Sequence, residues 1–257
     1  MTLLKPIALL AFASSLLPAQ EAPAATLQEL VQQARARRDA TDFRASGRLV
    51  RITESGERHN YQIALRAHSF GDVVRIFCEV TGPPPARVRL SMETRAAGRS
   101  VVRTGHAGDA ALKDLGPATW GDPLLDSNLF YEDLMENQSL WQKQTLVKEE
   151  KYGARDCYVI KSQPAAADRS HYSAVTSWFD RQTHYPVKVE KLVESTGQIK
   201  AFIYYGLRQS KGIWSASQIE IKTAGKPGST LLIITRGTGQ AKLTAADFDR
   251  ALLTKPY

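Results

Sequence analysis

Five histidines, His59, His68, His106, His171 and His184, are the side chains of this sequence best suited to acid–base work or metal ligation. None sits in an H-E-x-x-H or other paired ligand spacing, so no metal site is expected. Asp168, Ser170 and His171 hold the residue types of a nucleophile, base and orienting acid. They follow Pro164-Ala165-Ala166-Ala167, which reads as a loop, and the expectation is solvated loop residues rather than a triad. Glu132 and Asp133 form an acidic pair, but neighbours on a helix diverge by about 100° and do not act together. There is no G-x-S-x-G elbow, no Gly-rich phosphate loop before a helix and no C-x-x-C. Asn137-Gln138-Ser139 matches a glycosylation sequon, a weak motif. The expectation is a protein that is not an enzyme, with no catalytic residue, no metal and no cofactor.

Two cysteines, Cys78 and Cys157, lie in apolar strand-like runs. A bridge and two buried free thiols both fit, since pairing needs Cα atoms within about 7 Å.

The elements that must position these residues begin after an export signal. Lys5 gives a positive start and Pro6 to Leu17 an apolar stretch too short for a membrane span. Ala19, or Ala22-Pro23-Ala24 with cutting before Ala25, offers the cleavage point. Residues 1–24 are therefore expected to be removed, leaving 25–257 as one domain delivered to the periplasm in a bacterium. Lys5 and Glu21 leave together, so the net charge stays +8. The basic residues are scattered singly along strands, and no basic-aromatic RNA-binding module appears, so nucleic acid is not an expected partner.

Thr26 with Glu29 three positions on predicts a capped helix with Leu27, Leu30, Val31 and Ala34 on one face. Period two then takes over in runs at about 43–53, 59–67, 72–80, 86–94 and 99–104. Residues 105–128 are rich in Gly, Asp and Pro, and a stretch of that length without clear structure suggests a functional loop or lid. Residues 130–135 read as a short helix. Strands resume at about 144–149, 157–162, 172–179, 186–193, 199–207, 213–222 and 229–236, and Thr244 with Asp247 predicts a last capped turn. About a dozen strands joined by short connections exclude a doubly wound α/β fold. The fold class expected is mainly β: one large bent antiparallel sheet forming an unclosed β-barrel, or half-barrel, capped by short helices.

Parity assigns the faces. Val175 shares a side with Phe179; Val187, Val189 and Val193 share a side opposite Lys188 and Glu190; Ile199, Ile203, Tyr205 and Leu207 share a side opposite Lys200; Ile219 and Ile221 oppose Glu220 and Lys222. A sheet of this size encloses more volume than a few short helices fill. The remainder would be an apolar ligand cavity, lined by Val175, Phe179, Val187, Val189, Ile203, Tyr205, Ile219 and Ile221, with Phe130 and Leu134 from the short helix. Burying a sixteen-carbon chain at about 0.8 kcal/mol per methylene yields roughly 12 kcal/mol before binding costs.

The second half of the sequence resembles the outer-membrane lipoprotein-sorting, or LolA-like, family. The resemblance rests on Phe130-Tyr131-Glu132-Asp133-Leu134, on Gly153 followed by Cys157-Tyr158-Val159, on Gly212-Ile213-Trp214, and above all on the Trp-x-Asp-x-x-Thr-x-x-Pro-x-Lys-Val-Glu unit from Trp178 to Glu190. It implies a LolA/LolB-like unclosed barrel with helices as a lid over an apolar cavity. It implies a periplasmic carrier of lipoprotein acyl chains or other lipids, with an inner-membrane transporter or outer-membrane acceptor as partner. The same fold also implies an alternative, a signalling or scaffolding module acting with a membrane protein. In such carriers an early-strand arginine helps to hold the lid; Arg44, Arg48 and Arg51 lie in that region here.

Overall fold

The computed structural model describes residues 26–83, 87–95, 100–105, 113–210 and 213–255. The expected leader, and the residues after it up to Ala25, lie outside the described residues. The chain opens with helix α1, Leu27–Asp39. Its capping box forms as the sequence predicts: Glu29 N donates to Thr26 Oγ1 at 3.3 Å and Thr26 N to Glu29 Oε2 at 2.7 Å.

Strands β1 (Asp42–Ile52), β2 (Arg58–Phe70), β3 (Val73–Thr81), β4 (Arg87–Arg95), β5 (Val101–Gly105) and β6 (Lys113–Leu115) form a meander. After an irregular stretch come β7 (Lys143–Tyr152), β8 (Arg155–Gln163), β9 (Tyr172–Asp180), β10 (Pro186–Val193) and β11 (Ile199–Tyr205). The last strands are β12 (Arg208–Ser210), β13 (Ile213–Ser215), β14 (Gln218–Thr223) and β15 (Ser229–Gly239), followed by the short helix α2, Ala251–Thr254. Thirteen strands make one antiparallel sheet in the order β6-β5-β4-β3-β2-β1-β15-β14-β11-β10-β9-β8-β7. The first and last strands of that order do not pair, so the barrel stays open. β12 and β13 form a separate ribbon.

Strands far apart in this order bury side chains in one cluster: Ile63, Cys78, Leu90, Met92 and Val102 from one half, Val175, Val189, Phe202 and Ile221 from the other. Such a meeting requires a strongly bent sheet. Its concave face is filled by the segment between β6 and β7, residues 116–142, which inserts Trp120, Leu124, Leu129, Phe130, Met135 and Trp141 into the same cluster. The convex face carries smaller clusters. Leu243, Phe248 and Leu253 of the C-terminal segment cover Phe77, and Cys157, Val159, Trp178 and Val187 pack elsewhere.

The short helix read over 130–135 forms as a single 3-10 turn, Tyr131–Leu134, with Asp133 N donating to the carbonyl of Phe130 and Met135 N to that of Glu132. The single strand expected over 213–222 is broken, since Ser217 N turns to the carbonyl of Tyr205 and β13 folds back on β12. The stretch expected at 105–128 contains β6 and two 3-10 turns, Pro117–Thr119 and Leu124–Asp126; residues 106–112 lie outside the described residues.

β1 and β15 approach each other at Gly47, beside a register shift. A Cβ there would lie 1.9 Å from the Ile233 carbonyl oxygen. Gly47→Ala is expected to cost about 1–3 kcal/mol in urea unfolding, through the backbone shift it forces. Cys78 sits in the concave core and Cys157 in the convex cluster, so they are free and on opposite faces. Burial pushes the Cys78 thiol up to about 12. Alkylation without reductant should therefore add two labels to the unfolded chain and leave Cys78 unlabelled in the native protein, as read by intact mass.

Candidate functional site

The concave face holds a charged cluster where the sequence pattern promises only apolar side chains. Asp133, on the 3-10 turn of the inserted segment, has no exposed side-chain surface. Its Oδ1 accepts from Lys191 Nζ at 2.9 Å and from the Tyr172 hydroxyl at 2.6 Å. Its Oδ2 accepts from Lys200 Nζ at 3.0 Å and from Phe130 N at 2.8 Å. All four lone-pair directions of the carboxylate are occupied. Lys191 is directly opposite Lys200 across β10 and β11. Two like charges in that position repel, and the carboxylate between them is what makes the pairing tolerable.

Aromatic rings complete the shell. Lys191 lies 4.7 Å from the Phe202 ring centre, and Lys200 sits over the Phe130 ring, within cation–π range. Burial pushes the Asp133 carboxyl up, but the two ammonium groups and the hydrogen bonds outweigh it and hold it at about 2. Burial dominates at Lys200 and brings it down to about 8, against the pull of Asp133. Burial, with the Asp133 charge, raises the Tyr172 phenol, so it stays a donor.

Glu132 points elsewhere, as adjacent residues on a turn must. It accepts from the Ser170 hydroxyl at 2.5 Å and from His171 N at 2.8 Å. Burial raises its carboxyl. The His171 ring reaches the Pro117 carbonyl at 2.7 Å. Ser170 and His171 are thus not the solvated loop residues the sequence suggests; they clamp the inserted segment from the β8–β9 connection. The segment also carries three non-glycine residues in the left-handed region, Leu125, Asp126 and Glu136, a local strain of the kind found where segments move or bind.

Helix α1 closes the open side. Leu30 packs with Tyr158 and Ile160. Arg35 donates to the carbonyl of Ser139 at 3.0 Å, Arg38 to that of Thr94 at 2.9 Å, and Arg37 to that of His184. These three arginines tie the helix to the inserted segment, to β4 and to the β9–β10 turn. Of the early-strand arginines, Arg44 instead pairs with Asp247 of the C-terminal segment at 2.9 Å.

The residues expected to line a cavity divide. Val175, Val189 and Ile221 are on the concave face, Ile219 packs against them, and Phe130 and Leu134 meet them from the inserted segment. Phe179 packs instead with Leu27, Tyr158 and Leu146 under α1. Val187 does not share the side of Val189: the register shifts between Pro186 and Lys188, and Val187 joins Cys157 and Trp178 on the convex face. Ile203 pairs with Lys188 and Glu220 on the outer face, and Tyr205 is 43% exposed with its hydroxyl on Glu220. The expectation for β11 is inverted: Lys200, Phe202 and Tyr204 point inward. Charge-outward parity failed because the partner of Lys200 lies 67 residues away in sequence. Lys191 was legible in principle, since it shares parity with Val189 and Val193.

The motif from Trp178 to Glu190 is a scaffold for this wall. Asp180 accepts from Gln182 N and Thr183 N and pairs with Arg155 at 2.7 Å, fixing the turn that brings β10 back along β9. Trp178 Nε1 donates to Glu150 at 2.6 Å. Lys188 pairs with Glu190 at 2.7 Å, both half-buried on the outer face. A polar pocket of about 370 Å³ lies apart from this wall, between Arg75, Ser91 and Glu93 and the C-terminal residues Phe248 and Arg250.

A family model described as "-like: Uncharacterized protein" matches residues 113–255, more than half of the chain, and the chain belongs to that family. The sequence matches no curated protein. Three solved structures share the fold. An outer membrane lipoprotein-sorting protein domain from Vibrio parahaemolyticus superimposes with a TM-score of 0.79 at 20% identity, over 88% of this chain and 97% of that one. A DUF1329 family protein from Desulfovibrio piger gives 0.79 at 14% identity, over 89% and 98%. A LolA superfamily protein from Nitrosomonas europaea gives 0.69 at 16% identity, over 90% and 100%. The fold is LolA-like.

Removing the Asp133 charge strands two buried ammonium groups. Asp133→Asn is expected to cost about 3–5 kcal/mol in denaturant unfolding at neutral pH. A carboxyl held below its unfolded value contributes stability that is complete above the unfolded pKa and is lost as pH falls through the folded one. The difference between wild type and variant should hold from neutrality to about pH 4 and shrink towards pH 2, as followed by urea unfolding at each pH.

Proposed function

We propose that this member of the family, with its LolA-like fold, is a non-enzymatic binder or carrier of lipid or lipoprotein acyl chains. The observation that supports this reading is the concave face itself. A broad apolar wall is covered not by a second sheet but by a strained, irregular segment and a single helix. Those covers are held by a buried ion cluster and by arginine–carbonyl bonds, so residues 116–142 occupy the place an acyl chain would take. The apolar side chains of that segment are surrogates for the ligand, and binding exchanges one apolar surface for another.

The leader-like pattern of residues 1–24 supports delivery to the periplasm, and among the described residues no helix is long and apolar enough to cross a membrane. An inner-membrane donor and an outer-membrane acceptor fit a carrier there. The filled concave interior favours a second reading, a scaffolding module that contacts a membrane protein and carries nothing.

The test is lipid extraction from the purified full chain, followed by titration with a fluorescent fatty acid and hydrogen exchange across residues 116–142. Carriage predicts an extracted apolar ligand or saturable binding, with faster exchange in that segment on loading. No extracted ligand and no binding, with in-cell crosslinking to one membrane protein, would replace it with the scaffolding reading.

A further inference from the structure

Lys191 and Lys200 face each other across two strands on the inner wall, and their side chains are 5% and 0% exposed. An apolar-ligand wall has no use for two ammonium groups, and burying them beside each other is unfavourable without an anion between them. That anion is supplied by Asp133, which belongs to the inserted segment and not to the sheet. The neighbouring carboxylate, Glu132, is turned to Ser170 and His171 and does not hydrogen-bond either lysine. Any ligand that takes the place of the inserted segment takes Asp133 away with it. Both lysines then need a new counterion, and the wall around them, Val175, Val189, Phe202 and Ile221, needs new apolar cover.

We propose that Lys191 and Lys200 are the head-group site for an anionic amphiphile, whose carboxylate or phosphate replaces the Asp133 carboxylate while its chain replaces the inserted apolar side chains. This rests on the acyl-chain reading given above and specifies its ligand class. The geometry suits it: the two Nζ atoms already converge within 3.0 Å of one carboxylate, with the Tyr172 hydroxyl as a third donor. The lowered Lys200 pKa agrees, because the ammonium is short of compensation even with Asp133 present. A neutral or cationic head would leave the pair of charges opposed and buried.

The experiment compares dodecanoate, dodecanol, dodecyltrimethylammonium and acetate, each below micelle-forming concentration, as competitors of a bound fluorescent fatty acid on the wild-type chain at pH 7.5. Dodecanoate should compete at least tenfold more tightly than dodecanol, dodecyltrimethylammonium more weakly than either, and acetate not at a hundredfold excess. In the triple variant D133N/K191M/K200M, checked for folding by circular dichroism, the preference for dodecanoate over dodecanol should fall below twofold. Equal binding of dodecanoate and dodecanol by the wild type overturns the head-group site while leaving the acyl-chain reading intact. Competition by acetate as strong as by dodecanoate overturns the amphiphile in favour of a free anion. If none of the twelve-carbon compounds nor the probe binds, the acyl-chain reading itself fails. The wild-type comparison decides the proposal even if the variant does not fold.

Discussion

One carboxylate joins the two parts of this molecule. Asp133 is carried by the segment between β6 and β7, and its donors come from β9, β10 and β11 as well as from its own turn. Two opposed ammonium groups on an inner wall are a liability that no amount of apolar packing repairs. In this structure the inserted segment supplies the anion that lies between Lys191 and Lys200. Phe130 and Leu129 enter the core beside that carboxylate, Phe202 shares the inward face of β11 with Lys200 by strand alternation, and Ser170 and His171 clamp the neighbouring Glu132.

The remaining covers use a weaker bond repeatedly. Helix α1 is held by guanidinium groups on backbone carbonyls of Ser139, His184 and Thr94. On the convex face Arg89 does the same to the carbonyls of Leu252 and Lys255, at 3.2 and 2.6 Å, and pairs with Glu79. Each such bond contributes on the order of 1–3 kcal/mol, enough to seat an element over a sheet that already has its own ladder. The covers are thus distinguishable from the sheet: the sheet is held by its own backbone, the covers by side chains reaching to them.

An unclosed sheet of thirteen strands must protect two edges and fill one concavity. The edges differ, since β6 is three residues long and β7 carries Lys143, Lys148, Glu149, Glu150 and Lys151. Short strands and charged strands both discourage pairing with another chain. The concavity is filled by chain rather than by more sheet, which leaves a region whose packing can change without breaking a ladder. The proposed binding role rests on that division between a wall held by its backbone ladder and a filling held by side chains.

Much of the framework follows from local sequence. Period-two alternation marks the strands, tight turns make them antiparallel, and Thr26 with Glu29 or Thr244 with Asp247 mark the capped starts, because each of these signals acts between residues a few positions apart. The turn at Asp180 belongs to the same class. What the local pattern does not carry is which face of β11 points inward, that Val187 leaves the side of Val189, or that Asp133 rather than a histidine or serine is the central polar group. Those outcomes depend on a register shift and on partners 58 and 67 residues apart in sequence. A lysine in a strand reads as a mark of the wet face until a buried carboxylate is placed against it. Only the tertiary structure supplies that carboxylate, since the free energy of burying a charge is set by what surrounds it and not by its neighbours along the chain.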